Sequence, residues 1–145
     1  MMPVLEICTR EVVTAAPDDT VFAAARLMLE QGVGSVVVLE DARPVGILTD
    51  RDITVRVVAV GLNPETTRIR TVMSGNPRTV LETTGVEDTL RLMQAAGVRR
   101  IPVVDASGAL AGIVSLGDFL DLLAGTPEAP PPLLRRLAQA ARPPE

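Results

Sequence analysis

The sequence predicts an α/β protein made of two tandem β-α-β-β-α repeats packed as a pseudo-two-fold pair. The first observation is self-similarity, the signature of repeated structural units. A slide of 65 residues brings Thr14 onto Thr79, Val21 onto Val86, Arg26-Leu27-Met28 onto Arg91-Leu92-Met93, Gly32-Val33 onto Gly97-Val98 and Val38 onto Val103. A slide of 66 then brings Gly46-Ile47 onto Gly112-Ile113 and Asp52 onto Asp118, so one residue enters the second copy, assigned to Gly108 in the turn Asp105-Ala106-Ser107-Gly108. The second observation is that helical periodicity and β-branched runs follow one another in the same order in both copies. The third is a glycine, Gly32 or Gly97, where each first helix should stop.

The elements follow in order. Each copy opens on a short extended stretch, Val12–Ala15 or Arg78–Leu81. A helix comes next, over about Thr20–Gln31 and Val86–Ala96. In the first, Val21, Ala24, Ala25, Met28 and Leu29 recur at three- and four-residue spacing and make one apolar stripe. Two strands joined by a tight turn follow, Ser35–Leu39 with Val45–Thr49 and Arg100–Val104 with Leu110–Ser115. A second helix closes each copy, over about Asp50–Val60 and Leu116–Leu123. The expected division is a first repeat at 5–62, a connector at 63–76 with a helical turn at Arg70–Met73, a second repeat at 77–124, and a Pro-rich linker and short tail at 125–145. Within the tail, Leu133–Ala141 has the pattern of a short helix.

Composition removes many function classes. The chain has 145 residues, a formal net charge of −4, a hydrophobic fraction of 47% and a mean hydropathy of +0.31. This apolar excess implies a large core or a covered surface. It has no histidine, tryptophan or tyrosine, and all 14 basic residues are arginine. Without histidine, Ser–His and Cys–His nucleophiles are excluded, and so are most transition-metal sites. Without lysine, a Walker-type phosphate loop and Schiff-base chemistry are excluded. An acidic chain with two aromatics, Phe22 and Phe119, and no basic stripe argues against nucleic-acid binding. No apolar run approaches the roughly 18 residues of a membrane span. The start, Met1-Met2-Pro3-Val4-Leu5-Glu6, lacks a leader pattern, and Cys8 is the sole cysteine, so the expected location is cytoplasmic. Packing is the expected role of Cys8, with a redox link between chains as the sharper alternative.

The chemistry-bearing pattern lies where the third strand of each copy meets its second helix. It reads Gly46-Ile47-Leu48-Thr49-Asp50-Arg51-Asp52 in one copy and Gly112-Ile113-Val114-Ser115-Leu116-Gly117-Asp118 in the other. A hydroxyl at a helix N-cap with an acid three positions on is close to a capping box, which stabilises a helix start by about 1 kcal/mol and needs no ligand. The same geometry offers free N–H groups to an anion and a carboxylate to a ribose diol, and the glycine would leave room for a ring.

The repeat order, the paired motifs and Val98-Arg99-Arg100-Ile101-Pro102-Val103-Val104 together resemble the CBS domain family, whose tandem pairs are called Bateman modules. The layout is similar to small stand-alone bacterial members. The resemblance spans roughly 5–123. It implies two clefts between the repeats that bind AMP, ADP, ATP or S-adenosylmethionine, with no required cofactor, no metal and no catalytic residue. It implies ribose contacts from Thr49 and Asp52 in one site and from Ser115 and Asp118 in the other. Thr14 and Thr79 would lie beside base or phosphate, and Ile101-Pro102 would line the base. Arg51, Arg99 and Arg100 are present in only one copy each, so the clefts are unequal: one is expected to bind an anionic nucleotide with arginine on its phosphate and the other to be weaker or empty, the alternatives being a solvated edge for Arg99 and Arg100 and an exposed first-turn residue for Arg51. It further implies a homodimer that regulates another enzyme or transporter. The alternative is a module of the same fold that has lost its ligand and serves interaction alone.

Overall fold

The computed structural model describes residues 1–125. The predicted linker and the Leu133–Ala141 helix lie outside the described residues. The chain forms two compact units, each with its own core.

One unit runs from Val12 to Pro77. Strand β1 (Thr14–Ala15) is followed by α1 (Val21–Gln31), β2 (Ser35–Glu40), β3 (Arg43–Thr49), α2 (Asp50–Ile53), a π-helical turn at Thr54–Val58, a 3-10 turn at Ile69–Thr71 and β4 (Ser74–Gly75). The sheet order is β1-β2-β3-β4, with β1 parallel to β2 and the other two pairs antiparallel. Helix α1 starts where the Thr20 side chain accepts the Ala23 N–H (3.1 Å) and stops at Gly32, whose φ of 66° only glycine adopts without strain. Val21, Ala24, Val36, Val38, Leu48, Val57 and Ile69 are fully buried together or nearly so. Each such aliphatic side chain contributes about 1.5–3 kcal/mol by leaving water.

Among the described residues, the other unit joins Met1–Glu11 to residues 78–125. It has a 3-10 turn at Val4–Glu6, then β5 (Val80–Leu81), α3 (Val86–Ala96), β6 (Arg100–Val104), β7 (Leu110–Ser115) and α4 (Leu116–Ala124). The sheet order is β5-β6-β7, and Thr9 bridges antiparallel to Ile113 on the free side of β7. Helix α3 ends at Gly97 with φ 67°. Val4, Ile101, Val103, Val114 and Phe119 form its core.

The compact units therefore differ from the sequence repeats at their edges. Residues 5–11, which the sequence reading gives to the first repeat, pack with the second. The connector at 63–76 packs with the first. Val4–Glu6 and Ile69–Thr71 are the same turn 65 residues apart, and Val4 and Ile69 are both 0% exposed. Each copy thus begins with a leader that docks on the other copy's third strand.

Other expectations are corrected locally. The first strands hold two residues each instead of four. The helix expected over Asp50–Val60 is one α-turn followed by the π-turn, in which Ala59 N–H reaches back to Thr54 O (2.9 Å). Thr54 Oγ1 donates to Asp50 O (3.0 Å), a back-bond that competes with the α-helical ladder. Leu29 is 70% exposed and so leaves the apolar stripe, whereas Val21, Met28 and Met93 are core. The inserted residue lies where it was expected. Two residues separate the paired Glu40 and Arg43, and three separate Asp105 from Ala109, with Gly108 at φ 87°. Among the described residues no helix is long and apolar enough to cross a membrane.

Candidate functional site

Both strand-to-helix junctions are closed by their own side chains. Asp52 Oδ2 accepts Thr49 N–H (2.9 Å), and Thr49 Oγ1 accepts Asp52 N–H (3.1 Å), a reciprocal capping box. At the other junction Asp118 Oδ2 accepts Ser115 N–H (2.7 Å) and the Ser115 hydroxyl (3.2 Å). All four residues are half-buried. Each strand reaches its helix through a backbone link, Asp50 N–H to Gly34 O and Leu116 N–H to Arg99 O, both 2.9 Å.

The motif glycine has a different role from the one expected. A Cβ on Gly112 would stand 2.6 Å from Cys8 Sγ and 2.8 Å from Thr9 O. A Cβ on Gly46 would collide with the Met73 side chain and stand 3.0 Å from Ser74 O. The space beside each glycine is taken by the docked leader and not kept for a ligand ring. Cys8 packs there, with Sγ donating to Leu5 O (3.5 Å), and burial pushes its thiol pKa up. A raised thiol pKa suits packing better than reactivity.

The remaining predicted residues fall into two sets. In the first-repeat unit, Thr14 is on β1 opposite Val37, and Arg51 is exposed on the first turn beside Asp52. In the second-repeat unit, Arg100 sits directly across the ladder from Ser115, and the carbonyl of its neighbour Arg99 holds the start of α4. Ile101 and Pro102 are buried on β6, and Thr79 is exposed just before β5. Pro102 shapes the sheet edge. At the matching position Val37 N–H donates to Val13 O (3.0 Å), a rung that proline cannot make. Pairing of β5 with β6 therefore begins one residue later, at Val80 and Val103.

The copies differ in charge at these junctions. The first-repeat junction places the Asp50 carboxylate against Gly34, where a Cβ would stand 3.1 Å from Asp50 Oδ2. The second has Leu116 in place of Asp50, and Arg99 in place of Gly34. Two guanidinium-bearing residues thus flank the start of a nine-residue helix whose N-terminal dipole is also positive. The chemistry of that junction suits an anion.

One residue of the first-repeat junction escaped the sequence reading. Arg56 Nη1 lies 3.9 Å from Asp52 Oδ1 and donates to Val72 O (2.8 Å), bridging the helix to the docked leader. The signal for it was the four-residue step from Asp52. Its counterpart in the second copy is Leu122. There a hollow of about 210 Å³ is lined by Ile7, Asp118, Asp121 and Leu122.

Comparison with known proteins places these features in a family. The family model for the CBS domain matches residues 4–59 and again 69–125. An uncharacterized protein of Methanopyrus kandleri is 41% identical over 118 residues, 81% of this chain, and this chain spans 60% of its length. A CBS domain-containing protein of Bacillus subtilis is 38% identical over 123 residues, covering 82% of this chain and 84% of the relative. Among solved structures, a protein with CBS domains from Burkholderia ambifaria superposes with a TM-score of 0.76 at 29% identity, covering 86% of this chain and 96% of that one. A CBS domain protein from Pyrobaculum aerophilum complexed with AMP gives 0.75 at 26% identity, covering 95% and 99%. A hexameric CBS-CP12 protein from bloom-forming cyanobacteria gives 0.72 at 34% identity, covering 83% and 70%.

Proposed function

The chain belongs to the CBS domain family, with two copies of the domain, and on that premise we propose that it is a regulatory sensor of an adenosyl compound. The ligand class is AMP, ADP, ATP or S-adenosylmethionine. The observation that carries the reading is the second-repeat junction. Asp118 and Ser115 stand at a helix start with Arg100 opposite Ser115 and Arg99 one residue before it. A carboxylate accepts the two hydroxyls of a ribose, and guanidinium groups beside a helix N-terminus favour phosphate. The AMP complex of a protein of the same fold supports the class. Thr14, Thr49, Arg51, Asp52, Thr79, Ile101 and Pro102 are the other proposed contact residues.

The role is binding and not catalysis, with the effect passed to a separate enzyme or transporter. A ligand shifts such a protein only by its differential affinity for two arrangements. We also propose a homodimer. The first-repeat unit exposes Phe22 (46%), Leu29 (70%), Val55 (40%) and Val58 (66%), an apolar set that a second copy would cover.

A thermal-shift series with the four compounds tests the ligand. A dye or calorimetric readout is required because the chain has no tryptophan or tyrosine. At one hundred times Kd, binding stabilises by about 2.7 kcal/mol, which raises Tm by several degrees. A flat series at millimolar concentration favours the second reading, a ligand-free interaction module. One observation speaks for that second reading: the motif carboxylates are already engaged in capping and the motif glycines are already covered by the leaders.

A further inference from the structure

We infer that Arg56 is a second contact to the sugar in the first-repeat unit: one ribose hydroxyl bridges the Asp52 carboxylate and the Arg56 guanidinium, donating to the first and accepting from the second. This rests on the adenosyl-binding reading and adds a residue that reads the sugar. The capping box engages only one oxygen of Asp52, since Oδ2 accepts the Thr49 N–H at 2.9 Å. The other, Oδ1, lies 3.9 Å from Arg56 Nη1, one helical step along the chain. That is too long for a direct hydrogen bond. It is a separation that a single hydroxyl oxygen spans, with bonds of about 2.7 Å to the carboxylate and about 2.9 Å to the guanidinium meeting at roughly 90°.

The guanidinium is held ready for this contact. Nη1 donates to Val72 O at 2.8 Å, and a guanidinium nitrogen of this kind carries two hydrogens. Val72 belongs to the docked leader, where its own N–H closes the 3-10 turn on Ile69 O (3.0 Å). The side chain is thus ordered before a ligand arrives, which removes part of the entropy cost of binding. The Arg56 side chain is 46% exposed and that of Asp52 13%. The pair is therefore reached from solvent at the arginine and shielded at the carboxylate. A carboxylate only accepts hydrogen bonds and a guanidinium only donates them. A group seated between them must do both, and a hydroxyl does. An ether oxygen only accepts, and a methylene does neither. A site built to hydrogen-bond a hydroxyl rejects the analogue that lacks it, because its polar groups are then left unpaired. The pair selects ribose over its deoxy forms.

Amide NMR of the intact chain, followed at Thr49 and Asp52, reads the first-repeat junction specifically. AMP, ADP and ATP are titrated in turn, and the tightest is compared with its 2′-deoxy and 3′-deoxy forms. One of the two deoxy forms should bind the wild type about tenfold or more weakly, as expected for a lost hydrogen bond to charged groups. Arg56→Leu should weaken the parent nucleotide and shrink that preference severalfold. Arg56→Gln, whose shorter and uncharged side chain loses the contact, serves if leucine at this half-exposed position compromises folding. A merely structural Arg56 would weaken nucleotide and deoxy form alike, so an unchanged preference in the folded variants overturns the inference. So does a wild type that binds both deoxy forms as tightly as the nucleotide. Either result leaves the adenosyl reading standing. If none of the three nucleotides moves these amides, the inference falls. If no amide of the chain moves with any of them or with S-adenosylmethionine, the adenosyl reading falls with it.

Discussion

Single residues show how tightly the two copies are specified. The β2–β3 turn is made by Asp41 and Ala42, at φ 52° and 65°. Both angles belong to the left-handed region, and Ala42 has no side-chain group to compensate. A Cβ in that region costs roughly 1–2 kcal/mol, part of which glycine gives back as unfolded-state entropy. Ala42→Gly should therefore raise stability by about 0.5–1 kcal/mol, read as a higher urea midpoint at constant m-value. Gly112→Ala should do the reverse. Its methyl would press on Cys8 Sγ and Thr9 O, and overpacking of this kind costs about 1–3 kcal/mol. An unchanged midpoint for that variant would show that the leader can shift aside. Both motif glycines were visible in the sequence, but their purpose was not. Their partners sit 104 and about 30 residues away, beyond any local pattern.

At the level of elements, the leaders are held by polar contacts as well as by Val4 and Ile69. Arg70 Nε donates to Asp18 Oδ1 (2.8 Å), Arg68 Nη1 to Asp18 O (2.9 Å), and Ile69 N–H to Asp19 O (2.9 Å). The Arg70 hydrogen bond and charge hold the Asp18 carboxyl below its usual pKa. A depressed carboxylate pKa stabilises the fold above the ordinary carboxylate range, and that contribution disappears as the pH falls below about 4. Tm measured against pH should separate wild type from Asp18→Asn at neutral pH and bring the two together in acid. Curves that stay parallel to pH 3 would mean that this pair adds nothing. The helices with glycine stops, the β-branched strand pairs and the one-residue insertion were legible because each has a local cause: periodicity, propensity or a turn. The leaders were not. Between residues 4–9 and 69–74 only apolar character repeats, Val4 with Ile69, Ile7 with Val72 and Cys8 with Met73, and neither segment is long enough to show a period. Of the junction residues, the hydroxyl–aspartate pairs were legible from spacing. Arg56 was legible only in part: its four-residue step from Asp52 is in the sequence, but the carbonyl it reaches belongs to a leader that sequence alone assigned to a connector.

For the whole molecule, the exchange of leaders means that neither repeat is complete by itself. Deleting residues 1–11 should damage the second repeat and spare the first. Ile113 N–H donates to Thr9 O (2.9 Å), so amide exchange at Ile113 and along β7 should accelerate, while amides of β2 and β3 keep their protection. Equal acceleration in both sheets would contradict the assignment of the leader to one unit. Loss of Val4 from the core should also lower the overall midpoint, by about the 1.5–3 kcal/mol that burying such a side chain supplies.

The docking of Thr9 on Ile113 also has a meaning in time. The segment made ahead of both repeats is the one whose seat is made last. At roughly 5–20 residues per second, the stretch from Thr9 to Ile113 takes about 5–20 s to synthesise. For that interval the Val4–Thr9 segment has nowhere native to go. The first-repeat unit is free of this delay, since its leader at Ile69–Gly75 follows its own strands directly. The first-repeat sheet can close while the chain is still growing. The second closes only once β7 has been made and the waiting Val4–Thr9 segment docks on it, so residues 1–11 act as the latch that completes this sheet.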